Sequence, residues 1–451
     1  MNEWMDAESR AERAQELIQE DRLEEAAEEL RAAIRINPYN PAWYFNLGLT
    51  LEAMEDYIAA CEAYESAIEL DPEDIESLNC LGINLSRVAS YAESLRCFER
   101  IESLDPLYEP AYCNRIVTYS ELGQHEEAEL MFYMARQIRD ECPSCLFNIG
   151  LSFYTRGLYE RAIGCWAETI RIDPDFPGTH SRIADAFWAL GELEDARVYY
   201  QQAIERDPED CSLVLDLGEV LMEMGRDSEA ENSFRSVLAI EPHNTSASYC
   251  LGKLAENQGD YRAALKYYRS VMFQDVDFPG IGLRMAKSFL GRGSRKLAMK
   301  YLFAEIDKSH DDPESILEIS EILIDTGQVG RAYEILCRFV KVMPSNPVAR
   351  HNLAVCCFMR GEFDEGIRHC HRAMKLDPES SLALYNMALA HMHKGQVVRA
   401  RRYIRRAMKL SPGDEKICRL NKHLGTDSLW RRIRFKLGRR RKKQRHISPG
   451  R

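Results

Sequence analysis

Prolines recur along this chain at intervals of 34 residues. Pro38, Pro72 and Pro106 set the frame, Pro174, Pro208 and Pro242 continue it, and Pro344, Pro378 and Pro412 fall in it again. Only Asp140, Val276 and His310 interrupt the series, so the frame keeps phase without an inserted residue. A constant period of this length restricts the chain to stacked supersecondary units. One such unit cannot bury its apolar face alone and must lean on its neighbours.

Within one period, PAWYFNLGLTLEAMEDYIAACEAYESAIELDPED at 41–74, Tyr44, Leu47 and Leu51 share a helical face before a turn at Met54 to Asp56. Ala60, Tyr64 and Ala67 mark a second helix that ends at Asp71-Pro72. Proline stops the pair because it lacks a backbone N–H and disfavours helical geometry in the residue before it. Small residues recur where two helices must approach closely. Gly48, Gly82, Gly150, Gly218 and Gly252 stand at the eighth place, and Ala26, Ala60, Ala128, Ala162 and Ala196 begin a series at the twentieth. Phe98, Phe132, Trp166, Tyr200, Phe234 and Tyr268 fill the complementary places.

These residues resemble tetratricopeptide repeats, and the resemblance covers residues 7–414 as twelve units. It implies an all-α fold: a right-handed superhelical solenoid of antiparallel helix pairs whose first helices line an inner groove. Residues 1–6 are then a lead-in, 415–424 (EKICRLNKHL) a polar capping helix, and 425–451 a basic tail. The weakest unit is expected at 279–312, where Gly280, Gly282, Gly291 and Gly293 crowd together and Glu305 occupies a place filled elsewhere by Ala33, Ala67, Ala135 and Ala203. Each helix-interior glycine costs roughly 1 kcal/mol relative to alanine, so a softer joint is predicted there.

Composition agrees with a folded, helix-rich chain, since 45% apolar residues accompany 29% charged ones of both signs. No stretch approaches a transmembrane span, and the start, MNEWMDAESRAERAQE, is acidic where a secretory signal is basic and then apolar. A cytoplasmic protein, peripheral to a membrane if its tail binds one, is expected. Its 14 cysteines are then expected to be reduced core residues. Charge is polarised along the chain. Up to Asn346, 33 lysines and arginines face 64 acids, whereas from Pro347 onward 26 face 8.

A solenoid groove is a surface for peptides, and its sixth place carries Asn46, Asn114, Asn148, Asn352 and Asn386. An asparagine amide offers an acceptor and a donor, so it can pair with both polar groups of an extended backbone. These five positions are similar to the asparagine ladder of O-linked N-acetylglucosamine transferase. The ladder is broken at Glu12, Cys80, Arg182, Asp216, Cys250, Arg284 and Glu318. A carboxylate clamp of the kind some family members use is not expected. Gly178 stands where that clamp needs a lysine.

No metal site or cofactor is expected. Cys142 and Cys145 form a single CxxC with no second pair, which reads as a turn with a core-facing thiol. Cys357, Cys370 and His391 share core places in the last two repeats but lack fixed tetrahedral spacing. Nor is an enzyme expected: GRGSRK at 291–296 lacks phosphate-loop spacing, no HExxH or GxSxG occurs, and acidic pairs such as Glu126 and Glu127 read as solvated helix faces. No small-molecule substrate is implied.

The tail LWRRIRFKLGRRRKKQR at 429–445 contains no acid. As a helix it sets Leu429, Trp430, Ile433 and Leu437 on one face, with Arg431, Arg432, Arg434 and Lys436 beside or opposite it. Arg439, Arg440, Arg441, Lys442, Lys443 and Arg445 extend the charge, which already begins at Arg399, Arg401, Arg402, Arg405, Arg406 and Lys409. An anionic membrane surface, RNA, the chain's own acidic repeats or plain solvation each fit this pattern. The reading is a protein-interaction scaffold that binds proteins or extended peptides in its groove. The alternatives are a substrate-selecting subunit of a glycosyltransfer or secretion machine and an RNA-associated factor acting through the tail.

Overall fold

The computed structural model describes residues 2–306 and 312–424. Every regular element among them is a helix, and none is a strand. The first helix of a repeat begins at or near place one, as at Pro41, Ile75, Glu109 and Pro143, and the second at place seventeen, as at Tyr57, Tyr91, His125 and Tyr159. Two compact units divide the chain: Met1–Pro242, carrying repeats one to seven, and His243–Arg451, carrying eight to twelve.

The helix starts have local causes. Asn40, Asp74, Asp210, Asn244, Asp312, Asn346 and Ser380 stand just before first helices, and each side chain accepts a hydrogen bond from a free N–H of the opening turn. The turn between paired helices needs one left-handed residue at place fifteen. Gly123 and Gly157 supply it with φ of 71° and 72°, and glycine recurs there through Gly395. In the first three repeats Asp21, Glu55 and Ala89 adopt the same conformation at φ of 59°, 62° and 61°.

The eighth place explains the packing. A Cβ on Gly48 would lie 2.5 Å from the Tyr64 ring, one on Gly82 2.7 Å from Phe98 and one on Gly150 2.4 Å from Trp166. The ring from the second helix thus sits directly on the backbone of the first. Where alanine takes the eighth place, at Ala286, Ala354 and Ala388, the facing residue is the smaller Leu302, Cys370 or Ile404. Only repeat six keeps both Ala184 and an aromatic, Tyr200.

The glycine-rich ninth repeat has a more specific architecture than its composition implies. Gly280 and Gly293 hold φ of 73° and 74° at turns and are not helix-interior residues. Gly291 is crowded by the Tyr261 ring, and Gly282 by the Glu305 carboxylate. Glu305 is only 4% exposed and accepts from the backbone N–H of Gly280 at 3.0 Å and of Gly282 at 3.2 Å. This acid at an alanine place therefore caps the opening of helix Ile281–Gly291.

Residues 415–424 are helical. Ile417, Leu420 and Leu424 pack with Leu384 and Ile404 of repeat twelve. Arg401 donates to the Leu424 carbonyl at 3.0 Å and so meets one of that helix's last acceptors. Residues 425–451, and with them every tail arginine and lysine named above from Arg431 to Arg445, lie outside the described residues.

Candidate binding groove

Within each unit, sixth-place asparagines sit on the seam between the first helices of adjacent repeats. Asn114 donates its amide to the Asn79 carbonyl oxygen at 2.8 Å, and Asn148 donates to the backbone carbonyl of Cys113 at 3.2 Å. In the second unit Asn352 reaches Ser320 Oγ at 3.4 Å and Glu321 Oε1 at 3.3 Å, and Asn386 contacts His351 Nε2 at 3.2 Å. Four of the five asparagines therefore hold the preceding repeat with the NH₂ edge. Asn46 is half-buried, and its backbone carbonyl accepts from Thr50 Oγ1 at 2.8 Å.

Asn114 and Asn148 face one cleft. It has a volume of about 450 Å³ and is also lined by Arg87, Val117, Thr118 and Glu121. Hydrophobic, amide and charged groups all line it, a mixture that suits an extended backbone with mixed side chains.

A second set of residues could not be recognised from the repeat pattern alone. Rings that carry a hydroxyl need a partner once buried, and the first helix provides it. Tyr64 donates to Glu52 Oε2 at 3.1 Å, which also accepts from Asn84 of the next repeat at 2.9 Å, while Glu52 Oε1 pairs with Arg87 at 2.8 Å. Tyr200 donates to Asp185 at 2.6 Å and Tyr268 to Glu256 at 2.8 Å. Asp216, a sixth-place residue, is pushed up to about 6 by burial first and then by the neighbouring Asp185 charge. The signal was present as Tyr in place of Phe at place twenty-four.

Cysteine behaviour departs from expectation at one point. Cys113 and Cys145 form a disulfide with Cα atoms 5.1 Å apart, so the all-reduced reading is corrected there; the other described cysteines are free. The lone CxxC gains unforeseen company, because the first helices of repeats four and five bring Glu109 and Cys113 against Cys142 and Cys145. Burial, then the hydrogen bond to Glu109, push the Cys142 thiol up to about 12. The other trio does not assemble as read. Cys357 and Cys370 are buried, but His391 turns its Nδ1 to Gln396 at 2.7 Å and stacks on Tyr403 with ring centroids 5.3 Å apart. Glu365 and His369 instead stand near Cys357.

At the C-terminal end of the described chain, Arg401, Arg402, Arg405, Arg406 and Lys409 surround Val398 on the second helix of repeat twelve. No helix among the described residues is long and apolar enough to cross a membrane.

Family profiles described as tetratricopeptide repeat match residues 187–254 and 358–420, 147–211, and 41–74, and one described as TPR repeat matches 14–55. Together they span just over half of the chain, which belongs to the tetratricopeptide repeat family. Proteins of this family act as protein-interaction scaffolds, and that is the class to which the chain is assigned. Among solved structures, yeast Tom70 is 15% identical over 97% of this chain and 99% of its own, with a TM-score of 0.45. A tetratricopeptide repeat protein from Parabacteroides merdae is 18% identical over 56% of this chain and 99% of its own, at 0.46. The Cut9-Hcn1 hetero-tetramer of the APC/C is 14% identical over 91% and 95%, at 0.44. A search of curated proteins finds no match.

Proposed function

We propose that the chain is a non-catalytic adaptor that takes an extended segment of a partner protein across the first helices of repeats three to five. The observation that carries this reading is the cleft of about 450 Å³ into which Asn114 and Asn148 both face. Their NH₂ groups already hold the neighbouring repeat, so the amide carbonyls are the edges offered to a ligand N–H. Arg87 and Glu121 at the same cleft add one charge of each sign. Site-specific photo-crosslinking tests this. A crosslinker at Val117, in the cleft, is expected to capture partner peptide, and one at the exposed Leu130 on a second helix is not. Equal capture at both positions would refute the groove.

The basic helix of repeat twelve favours a second contact, with an anionic surface. Six cations on one 14-residue helix attract phosphate, and each gains roughly 1 kcal/mol near anionic lipid. The acid-free stretch at 429–445 continues the same charge in the sequence. Flotation with phosphatidylserine vesicles and retention of RNA, each over a salt series, separate a membrane anchor from an RNA contact. Loss of both on charge reversal at Arg402 and Arg406 is expected, and unchanged binding would remove this contact.

A further inference from the structure

Four electron-rich side-chain atoms meet where repeat four passes into repeat five. Glu109 opens the helix Glu109–Glu121, and Cys113 follows one turn later on the same face. Cys142 caps the helix Pro143–Thr155, and Cys145 lies in that helix's first turn. One carboxylate oxygen, Glu109 Oε1, stands 2.7 Å from Cys113 Sγ, 2.8 Å from Cys142 Sγ and 2.9 Å from Cys145 Sγ. The Cys142 and Cys113 sulfurs are 3.5 Å apart, and all four ligand atoms fall within 4.8 Å of one another. The three cysteines are buried at 4%, 3% and 0% exposure, while Glu109 is half-buried and borders solvent.

This arrangement is unfavourable as it stands. The two sulfurs of the Cys113–Cys145 disulfide carry no proton, so only the Cys142 thiol has a hydrogen to give Glu109. A carboxylate pressed against two lone-pair-bearing sulfurs in a buried setting lacks a positive centre. We propose that, with the disulfide reduced, Glu109, Cys113, Cys142 and Cys145 form a tetrahedral site for a zinc-class divalent cation that joins repeats four and five.

The geometry suits such an ion. Zinc–sulfur bonds of about 2.3 Å place tetrahedral sulfurs roughly 3.8 Å apart, close to the separation of Cys113 and Cys142. The ligands are two short-range pairs, E-x3-C on one helix and C-x2-C at the mouth of the next, so local structure brings each pair together and helix stacking brings the pairs to each other. Both helices point their N-terminal ends at the site, where free N–H groups offset anionic charge; the Cys145 N–H already donates to Cys142 Sγ at 3.2 Å. At seven other first helices Asn, Asp or Ser accepts the capping hydrogen bond, and here a thiol takes that role.

Two steps lead from the disulfide to the loaded site. A dithiol reductant gives two electrons and two protons to the Cys113–Cys145 bond and becomes a disulfide itself, leaving two thiols. The divalent ion then displaces three thiol protons, and three thiolates with one carboxylate give a complex of net charge minus two. Metal and disulfide are mutually exclusive, so the redox state of this pair controls loading. The site lies directly beneath the groove, since the Cys113 carbonyl is the acceptor that holds Asn148.

Titration of the full chain with cobalt(II), followed by zinc, tests the proposal. The reduced chain is expected to take up one cobalt, with thiolate charge-transfer and tetrahedral visible bands that zinc bleaches, and the disulfide-bonded chain none. X-ray absorption on the zinc-loaded wild type should count three sulfurs and one oxygen. Cys142→Ser should lose affinity by more than the ~100-fold typical of an outer-shell change, and Cys61→Ser, outside the cluster, should change nothing. Absence of the bands in reduced wild type that is folded by circular dichroism would overturn the proposal. So would bands that persist in Cys142→Ser or in the oxidised chain.

Discussion

Gly150 and Gly164 belong to the same repeat, and the structure assigns their replacement by alanine opposite signs. A Cβ at Gly150 would lie 2.4 Å from Trp166 Nε1 and 2.8 Å from two further ring atoms, whereas one at Gly164 meets nothing within 4 Å. Comfortable contact needs roughly 3.5–4.0 Å, so the indole must retreat by about 1 Å. It has nowhere to go, being fully buried, with its Nε1–H donating to the Phe147 carbonyl at 3.1 Å and the Phe147 and Tyr154 rings close by. Overpacking costs about 1–3 kcal/mol, and weakening that hydrogen bond adds about 1 kcal/mol. Alanine's helix propensity returns about 1 kcal/mol at either position. The expectation is a loss of about 2 kcal/mol for Gly150→Ala and a gain of about 1 kcal/mol for Gly164→Ala. Stacked repeats need not unfold as one unit, so hydrogen exchange over 143–172 is the direct readout, supported by urea midpoints. The reasoning fails if both substitutions shift exchange in the same direction, or if Gly150→Ala leaves it unchanged.

Two further outcomes follow from buried acids. Because the Asp216 carboxyl is raised from 3.8 to about 6, the folded chain holds a proton across that window and the unfolded chain does not, so stability falls as pH rises through it. Asp216→Asn should therefore stabilise at pH 7 by about 1 kcal/mol after solvent screening is allowed for, and do little at pH 3; equal effects at both pH values would contradict this. Glu305→Ala restores the residue found at this place in other repeats but strips an acceptor from the Gly280 and Gly282 N–H groups. It should cost about 1–3 kcal/mol and speed hydrogen exchange at 280–291, and unchanged exchange there would exclude the capping role.

The ninth repeat shows how sequence and structure divide the explanation. Counting glycines treats all four as helix-interior residues that weaken the repeat. Two of the four residues, however, sit at turns with positive φ, and the other two lie where a ring or a carboxylate crowds the backbone. Glu305, which looked like a misfit among alanines, is the group that satisfies the N–H groups of a largely buried helix start. The asparagines give a similar lesson, since their spacing puts them at one place of the first helices but does not show that four of them turn the NH₂ edge to the preceding repeat.

What the sequence determined alone is the framework of one repeat. The period, the paired helices, and the glycine at place eight opposite the aromatic at place twenty-four are short-range matters of propensity, capping and size, and each recurs often enough to be read. What only the tertiary structure decided is which residues meet across repeats. Cys113 and Cys145, 32 residues apart, and Asn84 and Glu52, also 32 apart, become neighbours through the stacking angle between helix pairs. A period conveys no such angle, because many small side-chain contacts set it jointly and no single residue type records it. For that reason the CxxC looked solitary in the chain, while in space it faces a third cysteine and a carboxylate.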